Sequence, residues 1–496
     1  MIKAFNDNLP FDRFTTAQLA GDLLPGSTVN DKIASGYNRL LQTSHEGGVQ
    51  QKEYLAKYSA DRVRNFSTAW LGATVGCSEC HDHKYDPFTQ RDFYSLAAFF
   101  ADVDDVQTFR GSNSLPTTRN PEMKVVSPLD VTGQQTRTMV TGRVKPRTIR
   151  VLLRGNWMDD SGEVVLPATP HFLPTLVTEQ RANRLDLANW LMQPENPLTA
   201  RVFVNRLWYL FFGDGLSRTL DDTGSQGEWP AHPELLDWLA VEFMENDWSQ
   251  KELQRLLVNS ATYRQASSRR ADVDRIDPAN KWLARQARFR LDAELVRDVA
   301  LAASGMLSAR MGGPGVFPPQ PEGCMDLGQH RKTWKASTGE NRYRRAAYTY
   351  RWRNTPHPAL KVFDAPDGLA ACTRRIRSNT PLQALTLLND PAFIELSMGL
   401  ANRLLTEAAT AEERIRLGFQ LCLNREPDVE EVRLLTGLVA QQTKEFAAQA
   451  SSAKAIVVQA NALGQATLPV TGDAAFSAWT MAARVMLNLD ETITRE

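Results

Sequence analysis

Pro197-Leu198-Thr199-Ala200-Arg201-Val202-Phe203-Val204-Asn205-Arg206-Leu207-Trp208-Tyr209-Leu210-Phe211-Phe212-Gly213-Asp214-Gly215 reads as a helix with its own punctuation. The fixed φ of Pro197 suits a helix entry, and the two glycines after Phe212 supply the pliable backbone at which a helix stops. The spacing predicts a helix over Leu198–Phe212. The same grammar recurs downstream: Pro233–Asn246 and Ser249–Ala261 form another pair, and Leu291–Leu307 is strongly patterned. Thr380–Leu405 holds two helices broken near Asp390-Pro391, and the tail from Thr410 is an Ala- and Leu-rich helix. Gly312–Gly328, dense in proline and glycine, is a loop. Arg344–Trp352 fits either strand or helix.

Working upstream, Asn183 caps a helix over Arg184–Met192 that stops at Pro194. Thr148–Leu153 and Glu163–Leu166 read as two short strands joined through the turn residues Gly155-Asn156 and Asp159–Gly162. Val103–Thr141 is rich in turn-forming residues and has little periodicity. The first hundred residues are mainly helical: Phe11–Leu24 up to the breaker Pro25-Gly26, Glu53–Leu71, and a helix after the capping box of Thr89 and Asp92. The fold class is therefore mainly α, two helical domains with a small β patch between them. The expected divisions are 1–102, a linker or surface excursion over 103–147, the β patch over 148–180, and a helical domain over 181–496.

Length and composition exclude several classes. At about 150 residues per domain, 496 residues make two large domains or about three ordinary ones. Lys and Arg number 57, as do Asp and Glu, so no net charge favours nucleic acid or a membrane surface. Five cysteines are too few for a disulfide scaffold. No apolar run reaches the ~18 residues of a membrane span. We expect no nucleic-acid partner and no span in this chain.

The sharpest chemical feature is Cys77-Ser78-Glu79-Cys80-His81. Two thiols three residues apart lie on one side of a helical turn and can add to the two vinyl groups of one haem. His81 then offers a ring nitrogen to the iron. Haem c is the expected cofactor, bound by Cys77, Cys80 and His81. Zinc or iron is the alternative, because Cys77, Cys80, His81 and His83 are all metal-ligating residue types within seven positions, with Asp82 and Asp86 among them. A turn with a purely structural role is the third possibility.

Weaker groups surround this run. Thr43–Gly48 contains His45 and Glu46, and Glu53 follows. The two acids suit acid–base work or a metal site, or equally an ordinary charged helix face. Asp221–Glu228 and His232-Pro233-Glu234 suggest a polar loop facing something, or a connector capping the next helix. Arg374, Arg375 and Arg377 suit an anion or a salt-bridged loop. Asn205 and Arg206, inside an apolar helix, point to buried structural hydrogen bonds.

Several stretches together resemble a known pairing of domains. Leu19–Pro25, Cys77–Pro87 and Asp92–Phe100 are similar to the cytochrome-like domain of large secreted planctomycete-type proteins. Arg184–Ala188, Asn196–Arg201, His232–Leu239, Phe289–Glu294, Asn379–Leu385 and Leu487–Glu491 resemble its usual C-terminal partner. Both are domains of unknown function. Such proteins are normally longer at the amino end, with an export signal and often a cytochrome c domain. The resemblance therefore implies a truncated first domain and a periplasmic or extracellular location. The resemblance gives kinship and no activity. Taken with the C-x-x-C-H run, it leads us to expect an exported haem- or metal-binding protein of the cytochrome-associated type, with electron transfer as its role and redox proteins as partners. A metal-dependent extracytoplasmic hydrolase acting on polymers, with Glu46, Glu53 or His232 as acid–base groups, is the alternative, as is a non-catalytic surface or scaffold protein.

Overall fold

A computed structural model describes residues 1–41, 49–105, 121–126, 135–327, 333–352, 354–463 and 473–495. Among these, the secondary structure is mainly α-helix, with three two-stranded antiparallel ribbons. No helix among them is long and apolar enough to cross a membrane. The chain forms two compact units, Met1–Ala287 with Leu369–Arg374, and Arg288–Gly368 with Arg375–Glu496.

The first unit draws its core from both ends of its sequence. Leu19, Val63, Phe66, Phe93 and Leu96 share one buried cluster with Leu187, Trp190, Trp208 and Phe243. The helix Phe11–Ala20 packs on Arg184–Leu191, and Gln51–Phe66 packs on Gln90–Phe99. The helix Thr199–Phe212 ends at Gly213 in the left-handed region, as its punctuation predicts. The boundary after Ala287 thus falls inside the expected 181–496 segment, because the helices from Arg184 to Asn259 bury their apolar faces in the first core.

Arg184 sits in the middle of this core with no exposed surface. Its Nε donates to Asp102 (2.9 Å), Nη1 to Asp22 (2.7 Å) and the Leu19 carbonyl (2.8 Å), and Nη2 to Asp22 (2.8 Å) and Asp102 (3.0 Å). All five N–H donors of the guanidinium are therefore used. Burial works against the charge, but the bonds to the two carboxylates outweigh it and hold the group above its ordinary range.

The β patch is a minimal ribbon, Ile149–Arg150 paired with Val164–Val165. A second ribbon, Glu122–Val126 with Gln135–Met139, lies within the expected surface excursion. Its sequence does not announce it, because Gln135, Arg137 and Thr138 supply no apolar alternation.

The second unit buries Leu400, Leu404, Ile415, Phe419, Ala482 and Met486 between the helices Pro391–Glu407, Ala411–Leu423, Val429–Ala448 and Asp473–Leu487. The break expected near Asp390-Pro391 is present: one helix ends at Asn389, and Asp390 caps the next. The third ribbon pairs Phe289–Arg290 with Thr494–Arg495. Arg375 pairs with Glu294 and Asp292, and Arg377 approaches Asp292, so these two arginines form a salt-bridged loop.

Candidate functional site

The run before Cys77 is shaped by one backbone position. A π-helical turn, Ser67–Leu71, ends at Gly72 with φ of 56°. A Cβ there would also lie 2.8 Å from the Val202 side chain, so both conformation and space call for glycine. The chain then makes a single 3-10 turn, Val75–Glu79, anchored by buried Val75 and Ser78. Ser78 Oγ and the His83 amide both donate to the Phe88 carbonyl, at 3.2 and 2.8 Å. These bonds close the loop 78–88, and the capping box of Thr89 and Asp92 starts the helix Gln90–Phe99.

Cys77, Cys80 and His81 lie on the exposed side of this turn, and both thiols are free. His81 Nδ1 is 2.7 Å from the Asp82 carbonyl. A carbonyl only accepts, so Nδ1 carries the proton of this bond, and in the neutral ring Nε2 keeps its lone pair. No protein partner among the described residues takes up that lone pair.

His83 differs in every respect. Its side chain is 6% exposed. Nδ1 accepts from the amides of Asp86 (2.9 Å) and Tyr85 (3.3 Å), which makes the ring neutral, and Nε2 donates to Thr74 Oγ1 (3.2 Å). Both nitrogens are engaged in holding the loop. Among the described residues no three His, Cys, Asp or Glu side chains gather as metal ligands.

Several more distant segments support the turn. Gln90 Nε2 donates to the carbonyls of Glu79 and Leu152, each at 3.0 Å, joining the turn to the β patch. Tyr94 Oη donates to the Glu79 carbonyl at 3.0 Å. Gly155 follows Leu152 so closely against Cys80 that a Cβ there would lie 2.8 Å from Sγ. Of the two readings open for the polar segment from Asp221, a loop facing something or a connector, the first describes Asp222–Ser225, which bonds to this region. The Thr223 amide donates to the Gly72 carbonyl (2.7 Å), and the Ser225 amide to Asp86 Oδ1 (2.7 Å). Arg206 donates to the carbonyls of Thr68, Ala69 and Leu220, and Asn205 exchanges two bonds with the Ser217 backbone. Both play the structural role expected of them.

The remaining candidates lie elsewhere. Glu53 pairs with Lys57 one turn along its helix, an ordinary charged face. His45 and Glu46 fall outside the described residues. His232 precedes the helix Pro233–Glu245 without a side-chain capping bond and lines a separate cleft. Gly155 and Gln90, which position the turn, carried no individual signal beyond turn propensity, and Asp86, a metal-ligand candidate by sequence, instead accepts from the Ser225 amide.

A family model described as PSD1, protein of unknown function (DUF1553), matches residues 183–439, and the chain belongs to that family. A second model, described as PSCyt2, protein of unknown function (DUF1549), matches residues 1–105. The two lie in the order that the motifs of planctomycete-type cytochrome-associated proteins imply. No curated protein and no solved structure matches the chain.

The two histidines predict opposite outcomes. His83→Ala strands two loop amides and should cost about 1–3 kcal/mol in urea unfolding. His81→Ala removes an exposed ring and should stay within about 0.5 kcal/mol of the parent. Asp92 sets a pH dependence. Burial raises its carboxyl, but bonds from Thr89 and His171 outweigh this and hold it below its ordinary value. Its contribution is therefore complete above about pH 4 and is lost as pH falls through the depressed value. Urea midpoints measured against pH should fall less steeply on the acid side in Asp92→Asn than in the parent.

Proposed function

We propose that the turn Cys77–His81 attaches haem covalently and that the protein serves electron transfer outside the cytoplasm, with redox proteins as partners. The observation that carries this reading is the state of His81. Its ring is exposed beside two exposed free thiols, with Nδ1 tied to a backbone carbonyl and Nε2 unengaged. A backbone bond at one nitrogen fixes the ring and makes the other a better ligand.

The thiols suit the same chemistry. Cys77 and Cys80 would each add across a vinyl group, sulfur bonding to one carbon and the proton passing to the other, so no oxidant is consumed. Haem held there supplies a one-electron iron couple. The rest falls to the chain itself. Gln90 and Tyr94 fix the Glu79 carbonyl between the two cysteines, and the Phe88 carbonyl fixes the far side of the loop. An attachment turn held on both sides limits the rearrangement that accompanies a change of charge. The metal-dependent hydrolase receives less support, because His83 is committed to the loop and the described acids do not converge on the cysteines.

Expression together with haem-attachment machinery tests the proposal. The expected product has a Soret band that survives acid–acetone extraction. Cys77→Ser should abolish attachment through two thioethers, and His81→Ala should shift the band through loss of its nitrogen ligand. Stoichiometric zinc or iron without that band, or two-thioether attachment retained in Cys77→Ser, would contradict the assignment.

A further inference from the structure

Trp229 and Trp282 are 81% and 63% exposed, a costly placement for the largest apolar side chains. Both line one cleft of about 230 Å³ in the first unit, with the stacked rings of Trp208 and Phe212 behind them. The backbone holds Trp282 in place. Asp277 accepts from the amides of Lys281 (2.9 Å) and Trp282 (2.8 Å). Asn280 and Leu283 adopt φ of 51° and 56°, conformations that non-glycine residues keep only where their surroundings impose them. On the other side, Ser217 Oγ donates to the Glu228 carbonyl and the Glu228 amide to Thr219 Oγ1, each at 2.9 Å. Both indoles are therefore presented by pinned loops.

The polar lining narrows the ligand. Glu228 pairs with Lys281, and Asp214 with Arg218 at 3.3 Å, so charges of opposite sign balance within the cleft. A phosphate or other strong anion finds no surplus cation, and a lipid chain would have to cover both ion pairs. His232 Nε2 is buried in this lining without a hydrogen-bond partner. Flat aromatic faces and paired charges together suit a neutral ring with one C–H face and a rim of hydroxyls. We propose that this cleft binds neutral glycan chains through pyranose rings stacked on Trp229 and Trp282, with hydroxyls bonded to Glu228 and Lys281. The cleft shares no residue with the Cys77–His81 turn, and glycan binding there does not depend on haem attachment.

Titrating the full chain with cellohexaose, laminarihexaose, xylohexaose and mannohexaose, followed by indole fluorescence and calorimetry, tests this. At least one should bind saturably and with little sensitivity to added salt, as an uncharged ligand requires. Trp229→Ala and Trp282→Ala should each weaken binding about tenfold, and Trp282→Phe should restore most of the loss. Both positions are exposed, so far-UV circular dichroism should be unchanged. Failure of all four sugars, binding indifferent to the tryptophan variants, or a preference for heparin or a proline-rich peptide would overturn the proposal.

Discussion

The Arg184 guanidinium, wholly buried, is held by Asp22, Asp102 and the Leu19 carbonyl through five hydrogen bonds. Such a charge is tolerated in a core only when every donor is met, and removal of one partner leaves the others stranded. The cation and its partners come from different matched family segments. Asp22 and Asp102 lie within 1–105 and Arg184 within 183–439, so two regions recognised separately close around one cation. The shared apolar cluster follows the same division, with Leu19 and Phe93 on one side and Trp190 and Trp208 on the other.

This interdependence extends to the Cys77–His81 turn. The residues that present it come from the first segment, but its base rests on the second. Arg206 holds the carbonyls just before Gly72, Thr223 binds Gly72 itself, and Ser225 binds Asp86. The small β patch adds Leu152 and Gly155 on the side of Cys80. Two thiols and an imidazole are thus displayed at the surface by a frame fixed from three directions. Haem attachment as proposed requires such a frame, because an exposed turn has no deep pocket to orient a bound group.

Much of this was legible where the cause is local. The capping box of Thr89 with Asp92, the cap at Asn183, the stop at Gly213 and the break at Asp390-Pro391 each depend on a few adjacent residues. The C-x-x-C-H spacing was visible for the same reason. Features set by distant partners were not. Nothing near Arg184 names Asp22, and nothing near Ala287 marks a boundary between compact units. As ligands for zinc or iron, His81 and His83 were equally eligible by sequence. Their separation into an available ring and a committed one depends on where Thr74 and the amides of Tyr85 and Asp86 fall in the closed loop. The polar ribbon at Glu122–Val126 and the exposure of Trp229 and Trp282 belong to the same class, since neither follows from composition or period.

If the first family segment and the part of the second that lies within the first unit form one cooperative body around a single cation, the most direct test is hydrogen exchange on Arg184→Met. The account predicts that amide protection falls together in Phe11–Ala20, Gln90–Phe99 and Thr199–Phe212, although none of these helices contains the substituted residue. Loss confined to Arg184–Leu191, with the helices of the first hundred residues still protected at the parent's level, would contradict it.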